Sequence, residues 1–200
     1  IDIGGACRAT LPGNKEERAA HQIPVAWDAL VVVVNKENPV NSITFEELQR
    51  IYLGKIKNWK ELGGDDAPIE LYARKGKLSG VGRTLRELVF ANYEQDFDAK
   101  FIVKSSGPLE KGVVKNVYGI GTTGISSAKR RDLKILRLDD KEPSYENIKK
   151  GEYLLYRPLY FVTKGPKSEE KVKKFISFAL SKEGKEIIRQ AGTVPYADAM

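Results

Sequence analysis

Sulfur and imidazole are scarce in this chain: of 200 residues one is cysteine, Cys7, and one is histidine, His21. A single thiol excludes an internal disulfide, and with it a disulfide scaffold. One thiol and one imidazole are too few for a Cys/His zinc site, so neither a metal nor a cofactor is expected. Cys7 reads as a small buried filler. His21 follows Lys15-Glu16-Glu17-Arg18-Ala19-Ala20 and reads as a solvated residue on a short helix. Long apolar runs are missing too. The longest, Ala29 to Val34, is strand length, well short of the roughly 20 residues a membrane span needs. The opening Ile1-Asp2-Ile3-Gly4-Gly5 carries neither the basic region nor the small-residue cleavage site of a secretory signal. Two expectations stay open on that point: a cytoplasmic chain, or a mature or trimmed one. Repeats and low-complexity segments are absent.

What is present is ordinary in amount, with 41% hydrophobic and 30% charged residues, but biased in sign, with a net charge of +7. A basic surface attracts anions: phosphate, nucleic acid or an anionic membrane. The densest basic run, Lys129-Arg130-Arg131, is followed at once by Asp132, and no aromatic residues interleave with it. A nucleic-acid platform is therefore not expected.

Strands and helices alternate along the chain. Ala29 to Val34 has no polar alternation and predicts a strand covered on both faces. Thr44-Phe45-Glu46-Glu47 predicts a capping box, followed by a helix with Leu48, Ile51 and Tyr52 inside and Gly54 at its end. Ile69 to Ala73 alternates as a strand, and a helix carrying Leu85, Leu88 and Val89 follows. Pro108 suits a first helical turn, with Leu109, Val113 and Val117 inside. Lys134 to Leu138 and Tyr153 to Thr163 read as strands. Ser168 reads as the cap of a helix striped with Val172, Phe175, Ile176, Ala179 and Leu180. Strands separated by helices imply an α/β fold with mainly parallel sheets. Two long apolar strands, near 25–35 and 154–163, bracket the middle of the chain, the pattern of one lobe inserted into another.

The segment richest in chemistry is Arg74-Lys75-Gly76-Lys77-Leu78-Ser79-Gly80-Val81-Gly82-Arg83-Thr84, between a predicted strand and a predicted helix. A helix start offers unpaired N–H groups and about half a positive charge. Glycines admit a ligand close to the backbone. Ser79 adds a hydroxyl and Arg74 a fork for two oxygens of one anion. Together these could form an oxyanion cradle; the segment reads equally as a plain strand-to-helix turn capped by Ser79. A nucleotide P-loop fails on spacing, since five residues separate Gly76 from Gly82 and Arg83 stands where lysine is needed. A dinucleotide fingerprint fails because Leu85 occupies the third glycine position. Asp2, before Ile3-Gly4, is a second candidate for a cleft, although a solvated terminal residue is the commoner reading of such a position.

Several motifs carry a resemblance. Asp2-Ile3-Gly4-Gly5-Ala6-Cys7-Arg8 resembles a D-I-G-x-S-x-R strand end. Asn38-Pro39-Val40-Asn41, Ile43-Thr44, Leu48, Ile51-Tyr52, Gly54-Lys55-Ile56 and Asn58-Trp59 resemble an N-P-x-x-x-L-T-x-x-x-L-x-x-I-F-x-G-K-I-x-N-W segment. Gly119-Ile120-Gly121, Arg157-Pro158-Leu159-Tyr160, and Phe175-Ile176 through Gly184 to Val194-Pro195 complete the match. In order and over essentially the whole chain, these are similar to the phosphate-type substrate-binding proteins of bacterial ABC transporters. The resemblance implies a two-lobed periplasmic-binding-protein-like fold of type II, with residues 36–156 inserted into a lobe made of 1–35 and 157–200. It implies a non-catalytic receptor that closes on inorganic phosphate or a related tetrahedral oxyanion and delivers it to an ABC permease. Arg74, Ser79, Gly80 and Val81 would bind from one lobe, and Asp2 from the other, accepting the hydrogen of a protonated phosphate. The location implied is periplasmic or extracellular, with the membrane reached only through the permease or a removed lipid anchor. A non-transporting sensor or scaffold of the same fold is the alternative.

The sequence departs from the family pattern at the site. The expected S-G-T-R reads Ser79-Gly80-Val81-Gly82, one extra residue separates Arg74 from Ser79, and Ala6 replaces a serine. Each lost donor lowers anion affinity by about 1–3 kcal/mol if the oxygen it served goes unmatched. The family's opening strand, loop and helix have no counterpart here. An incomplete first lobe would expose apolar surface and favour a homodimer.

Overall fold

The protein is described here from a computed structural model, over residues 2–11, 13–77 and 80–199. Its organising element is β2, a 15-residue strand from His21 to Asn35. Leu30 to Val34 are at most 1% exposed, as their unbroken apolar run predicts. No polar position interrupts the run because neither face meets water. Along its first half, β2 pairs antiparallel with β9 (Tyr156–Thr163), which pairs in turn with β1 (Ile3–Ala6). Along its second half it pairs with β6 (Gly119–Gly124) and β7 (Leu133–Ile135). One strand thus threads two halves of a mixed sheet.

The second half contains the α/β unit. Strand β4 (Glu70–Arg74) runs parallel to both β5 (Phe101–Val103) and β6. Helix α2 (Gly80–Phe90) follows β4, α3 (Ser106–Val114) follows β5, and the short α4 (Ile125–Ala128) follows β6. All three therefore begin at the C-terminal edge of the parallel strands, the edge where open α/β sheets bind ligands. Within this sheet, among the described residues, only these strands pair in parallel; the part around β1, β9 and β2 is antiparallel. The cause is topological. β2 carries the chain out of the first half and β9 carries it back, so two crossovers lying side by side must run in opposite directions.

The predicted capping box at α1 (Phe45–Tyr52) is present: Glu47 N–H donates to Thr44 Oγ1 at 3.1 Å, and Thr44 N–H donates to Glu47 Oε2 at 2.7 Å. Leu48, Ile51 and Tyr52 are buried, and Gly54 takes the positive φ that ends the helix. Tyr52 donates its hydroxyl to Thr122 Oγ1 at 2.9 Å, and burial pushes its pKa up to about 12.

Four local expectations are corrected. His21 lies on no helix; it opens β2 opposite Thr163. Helix α3 ends at Val114, before Val117. The strand expected over Lys134 to Leu138 is split between β7 and β8 (Arg137–Leu138), and β8 pairs with β3 (Ser42–Ile43). Ser168 does not cap the last long helix. The Gly165-Pro166-Lys167 turn, with Gly165 at φ +63°, pushes the start of α5 (Glu170–Leu180) one residue on, to a cap at Glu169. Of its stripe only Val172 is buried; Phe175 and Leu180 are exposed, and Phe175 lines a groove shared with the following helix, Lys182–Gln190.

Candidate functional site

Arg74 ends β4, so its side chain emerges at the C-terminal edge of the parallel strands. Its Nη1 donates to Ser106 Oγ at 2.8 Å and its Nη2 to the Lys104 carbonyl at 3.2 Å. Those bonds tie it to the first residue of α3 and to the loop before it. Its Nε is buried and has no hydrogen-bond partner among the described residues. Burial, and after it the positive charge of Arg157, lower the pKa of Arg74. A guanidinium remains charged through such a shift.

Arg157 was read in the sequence only as part of a crossover motif, and the structure gives it a larger role. It stands on β9 directly opposite Asp28 on β2. Asp28 Oδ2 accepts from Arg157 Nη2 at 3.0 Å and from Nε at 3.3 Å. Asp28 is 2% exposed and Arg157 7%. Burial drives the Asp28 carboxyl pKa up against the opposing pull of Arg157. With two guanidinium nitrogens committed, the third, Nη1, is buried and has no partner among the described residues. It faces the start of α2: a β-carbon placed on Gly80 would stand 3.1 Å from Arg157 Nη1.

The same point lies 1.8 Å from Cys7 Sγ. Gly80 is therefore required by close approach, since any larger residue would collide with Cys7 and the guanidinium. Cys7 is half-buried, contrary to the filler expected of it. With Gly80, Arg8 and Glu17 it lines an open cleft of about 310 Å³. Arg8 and Glu17 brace one wall through two parallel hydrogen bonds of 2.9 and 2.7 Å. Glu17 also accepts from Leu11 N–H at 2.8 Å. Chiefly through the Arg8 bonds, its pKa falls to about 2.

Of the residues singled out in the sequence, Arg74, Gly80 and Val81 come together on one strand–turn–helix unit. Val81 is buried in the first turn of α2 and carries no side-chain donor. Ser79 lies outside the described residues. Asp2 is placed elsewhere. The register of β1, Ile3 opposite Thr163 and Ala6 opposite Tyr160, puts the Cys7 end at the cleft and Asp2 at the far end. Five residues of extended chain separate the two ends by about 17 Å. There Asp2 meets Lys171 Nζ at 3.2 Å, and that contact lowers its pKa. Sequence reasoning missed Arg157 and Asp28 as a pair because they are 129 residues apart. The one available signal was an aspartate and an arginine interrupting two apolar strands.

Known proteins resemble this chain closely enough to place it. The family pattern described as the PBP superfamily domain matches residues 8–183. Phosphate-binding protein PstS of Borreliella burgdorferi is 31% identical over 91% of this chain and 68% of its own length. The PstS protein of Bacillus subtilis is also 31% identical, over 89% of this chain and 58% of its own length. The chain thus spans between about three-fifths and two-thirds of these curated relatives. Among solved structures, a phosphate ABC transporter substrate-binding protein from Clostridium perfringens, with phosphate bound, superposes with a TM-score of 0.88 at 32% identity, covering 97% of this chain and 79% of that one. An ABC-type phosphate transport receptor from Vibrio cholerae gives a TM-score of 0.72 at 30% identity, over 96% and 79%. The chain belongs to the PBP superfamily, among the PstS-like substrate-binding proteins of ABC transporters.

Proposed function

We propose that this chain forms the gripping part of a receptor that binds phosphate between two lobes and hands it to an ABC permease. One observation carries the reading. Two guanidinium groups, Arg74 and Arg157, lie near enough for the charge of one to lower the pKa of the other, and each keeps a buried N–H lacking a partner among the described residues, that of Arg157 beside the start of α2. A buried donor without a partner costs about 1–3 kcal/mol, a cost that an oxyanion bridging both arginines relieves. Arginine forks and helix-start amides are the donors that phosphate oxygens match best. The relatives' names and the phosphate in the Clostridium structure support the same ligand. The proposed contacts are Arg74, Ser79, Gly80 and Val81 from the α/β lobe, joined by Arg157 from the crossover. Asp2, paired with Lys171, lies outside this set.

The lobes are 1–35 with 157–200, and 36–156, and the two crossovers β2 and β9 form the hinge on which they close. No chemical step is required of a receptor. It works outside the cytoplasm, as periplasmic-type binding proteins do. Among the described residues no helix is long and apolar enough to cross a membrane, and the permease provides the membrane contact.

Calorimetric titration with phosphate, with sulfate and arsenate as controls, tests the proposal. Saturable phosphate binding that weakens in Arg74→Ala is the expected result. Absence of saturable heat with all three anions refutes it.

A further inference from the structure

Cys7 is the only cysteine in the sequence, and β1 ends by delivering it into the cleft. The residue is half-buried and lines the cleft with Gly80 and Arg8. Independently of that sulfur, Arg157 is more than nine-tenths buried, and its Nη1 has no partner among the described residues. Both groups converge: Cys7 Sγ and Arg157 Nη1 stand 1.8 and 3.1 Å from one point beside Gly80 Cα. A buried cationic donor aimed at that point calls for an oxyanion. Cys7 Sγ is the atom there that ordinary oxidation converts into one.

We propose that Cys7 is an oxidative modification site whose sulfinate occupies the anion cleft in place of phosphate. The proposal rests on the receptor reading. Hydrogen peroxide is the oxidant. In the first step sulfur attacks one peroxide oxygen, the O–O bond breaks, and sulfenic acid and water form. Sulfur loses two electrons and the peroxide gains them. With no second cysteine in the chain, an intramolecular disulfide cannot divert the sulfenic acid. A second peroxide adds another oxygen to sulfur, releases another water, and gives the sulfinic acid, which ionises by losing its proton. The product carries two oxygens on a side chain already next to Arg157. The free Nη1 of Arg157 and the amides at the start of α2 hold such a group as they hold a free oxyanion. Being tethered, it competes with phosphate at a high effective concentration. Oxidation thereby turns the receptor off by filling its site from within.

The test uses the full protein and its Cys7→Ser variant, each before and after hydrogen peroxide. Peptide mass spectrometry locates added oxygen, and calorimetry measures phosphate affinity. The wild type is expected to gain two oxygens on the Cys7 peptide and to lose phosphate affinity by about tenfold or more. Cys7→Ser keeps one affinity before and after treatment. Excess phosphate slows oxidation of Cys7. Oxidised wild type that binds phosphate as tightly as before overturns the proposal. So does a Cys7 that gains no oxygen under peroxide that oxidises Met200. If the untreated protein binds no phosphate, the receptor reading fails instead. The sulfinate contact is then judged by melting temperature. It rises on oxidation of the wild type and not of Cys7→Ser, and an unchanged or lower value overturns the contact.

Discussion

Replacing Asp28 with alanine strands the Arg157 charge inside the protein. Both residues are more than nine-tenths buried, and Asp28 Oδ2 is the acceptor for two of the three guanidinium nitrogens. The positive charge of Arg74 lies near enough to act on the same group. Removing one partner of such a pair costs about 3–5 kcal/mol, because the other is left uncompensated in a poorly polarisable interior. An exposed pair gives the contrast. Lys36 and Asp132 meet at 2.5 Å with 59% and 67% of their side chains exposed, and Lys36→Ala is expected to cost under about 1 kcal/mol. Urea unfolding of both variants measures the difference as a midpoint shift at constant slope. The double variant Asp28→Leu, Arg157→Met recovers most of the loss, since two apolar groups leave no orphaned charge. A loss in Asp28→Ala no larger than in Lys36→Ala would refute the reasoning.

The same pair sets a pH dependence. Burial raises the Asp28 pKa in the native state, so the folded protein holds that proton more tightly than the unfolded one. Its contribution to stability is complete below the unfolded carboxyl value and is lost as pH rises through the native one. Asp28→Asn flattens that part of the stability profile.

Other substitutions separate the site from the surface. Arg74→Ala weakens phosphate binding by about tenfold to a hundredfold, as the loss of charge-assisted hydrogen bonds dictates, whereas Lys129→Ala at an exposed position leaves the calorimetric trace unchanged; equal losses would mean diffuse surface attraction. Gly80→Ala forces Cys7 and Arg157 aside and costs about 1–3 kcal/mol of overpacking, and adding Cys7→Ala restores part of the melting temperature because the nearest colliding atom is Cys7 Sγ. Carbon-detected NMR titration of Glu17 gives a midpoint near 2, and Arg8→Ala returns it toward the ordinary carboxylate range. The sign is opposite to that of Asp28: stability contributed by Glu17 is present above the unfolded value and is lost as pH falls toward 2.

Much of the architecture was legible in the sequence because it is local or periodic. The run Ala29 to Val34 could only be a strand buried on both faces, and it is. Thr44 and Glu47 stand at the spacing of a capping box, and both bonds form. Arg74 ahead of a glycine turn marked the end of a strand, and the helix that follows takes in Gly80 and Gly82, which the sequence assigned to the turn. What depended on pairing was not legible. The antiparallel sheet around β2 follows from two crossovers lying side by side, and that adjacency is a property of the folded chain. Asp2 was a site residue only by the family resemblance; the register of β1 against β9 puts it about five residues from Cys7, which lines the cleft. Asp28 and Arg157 are unremarkable polar interruptions until β2 and β9 meet in register. Sequence by itself determined most of the strands and helices and singled out one glycine turn between a strand and a helix, because those depend on residues a few positions apart. Only the tertiary structure decided which charges are buried together and which donor is left without a partner beside Gly80, because burial and pairing depend on strands brought together from more than a hundred residues apart.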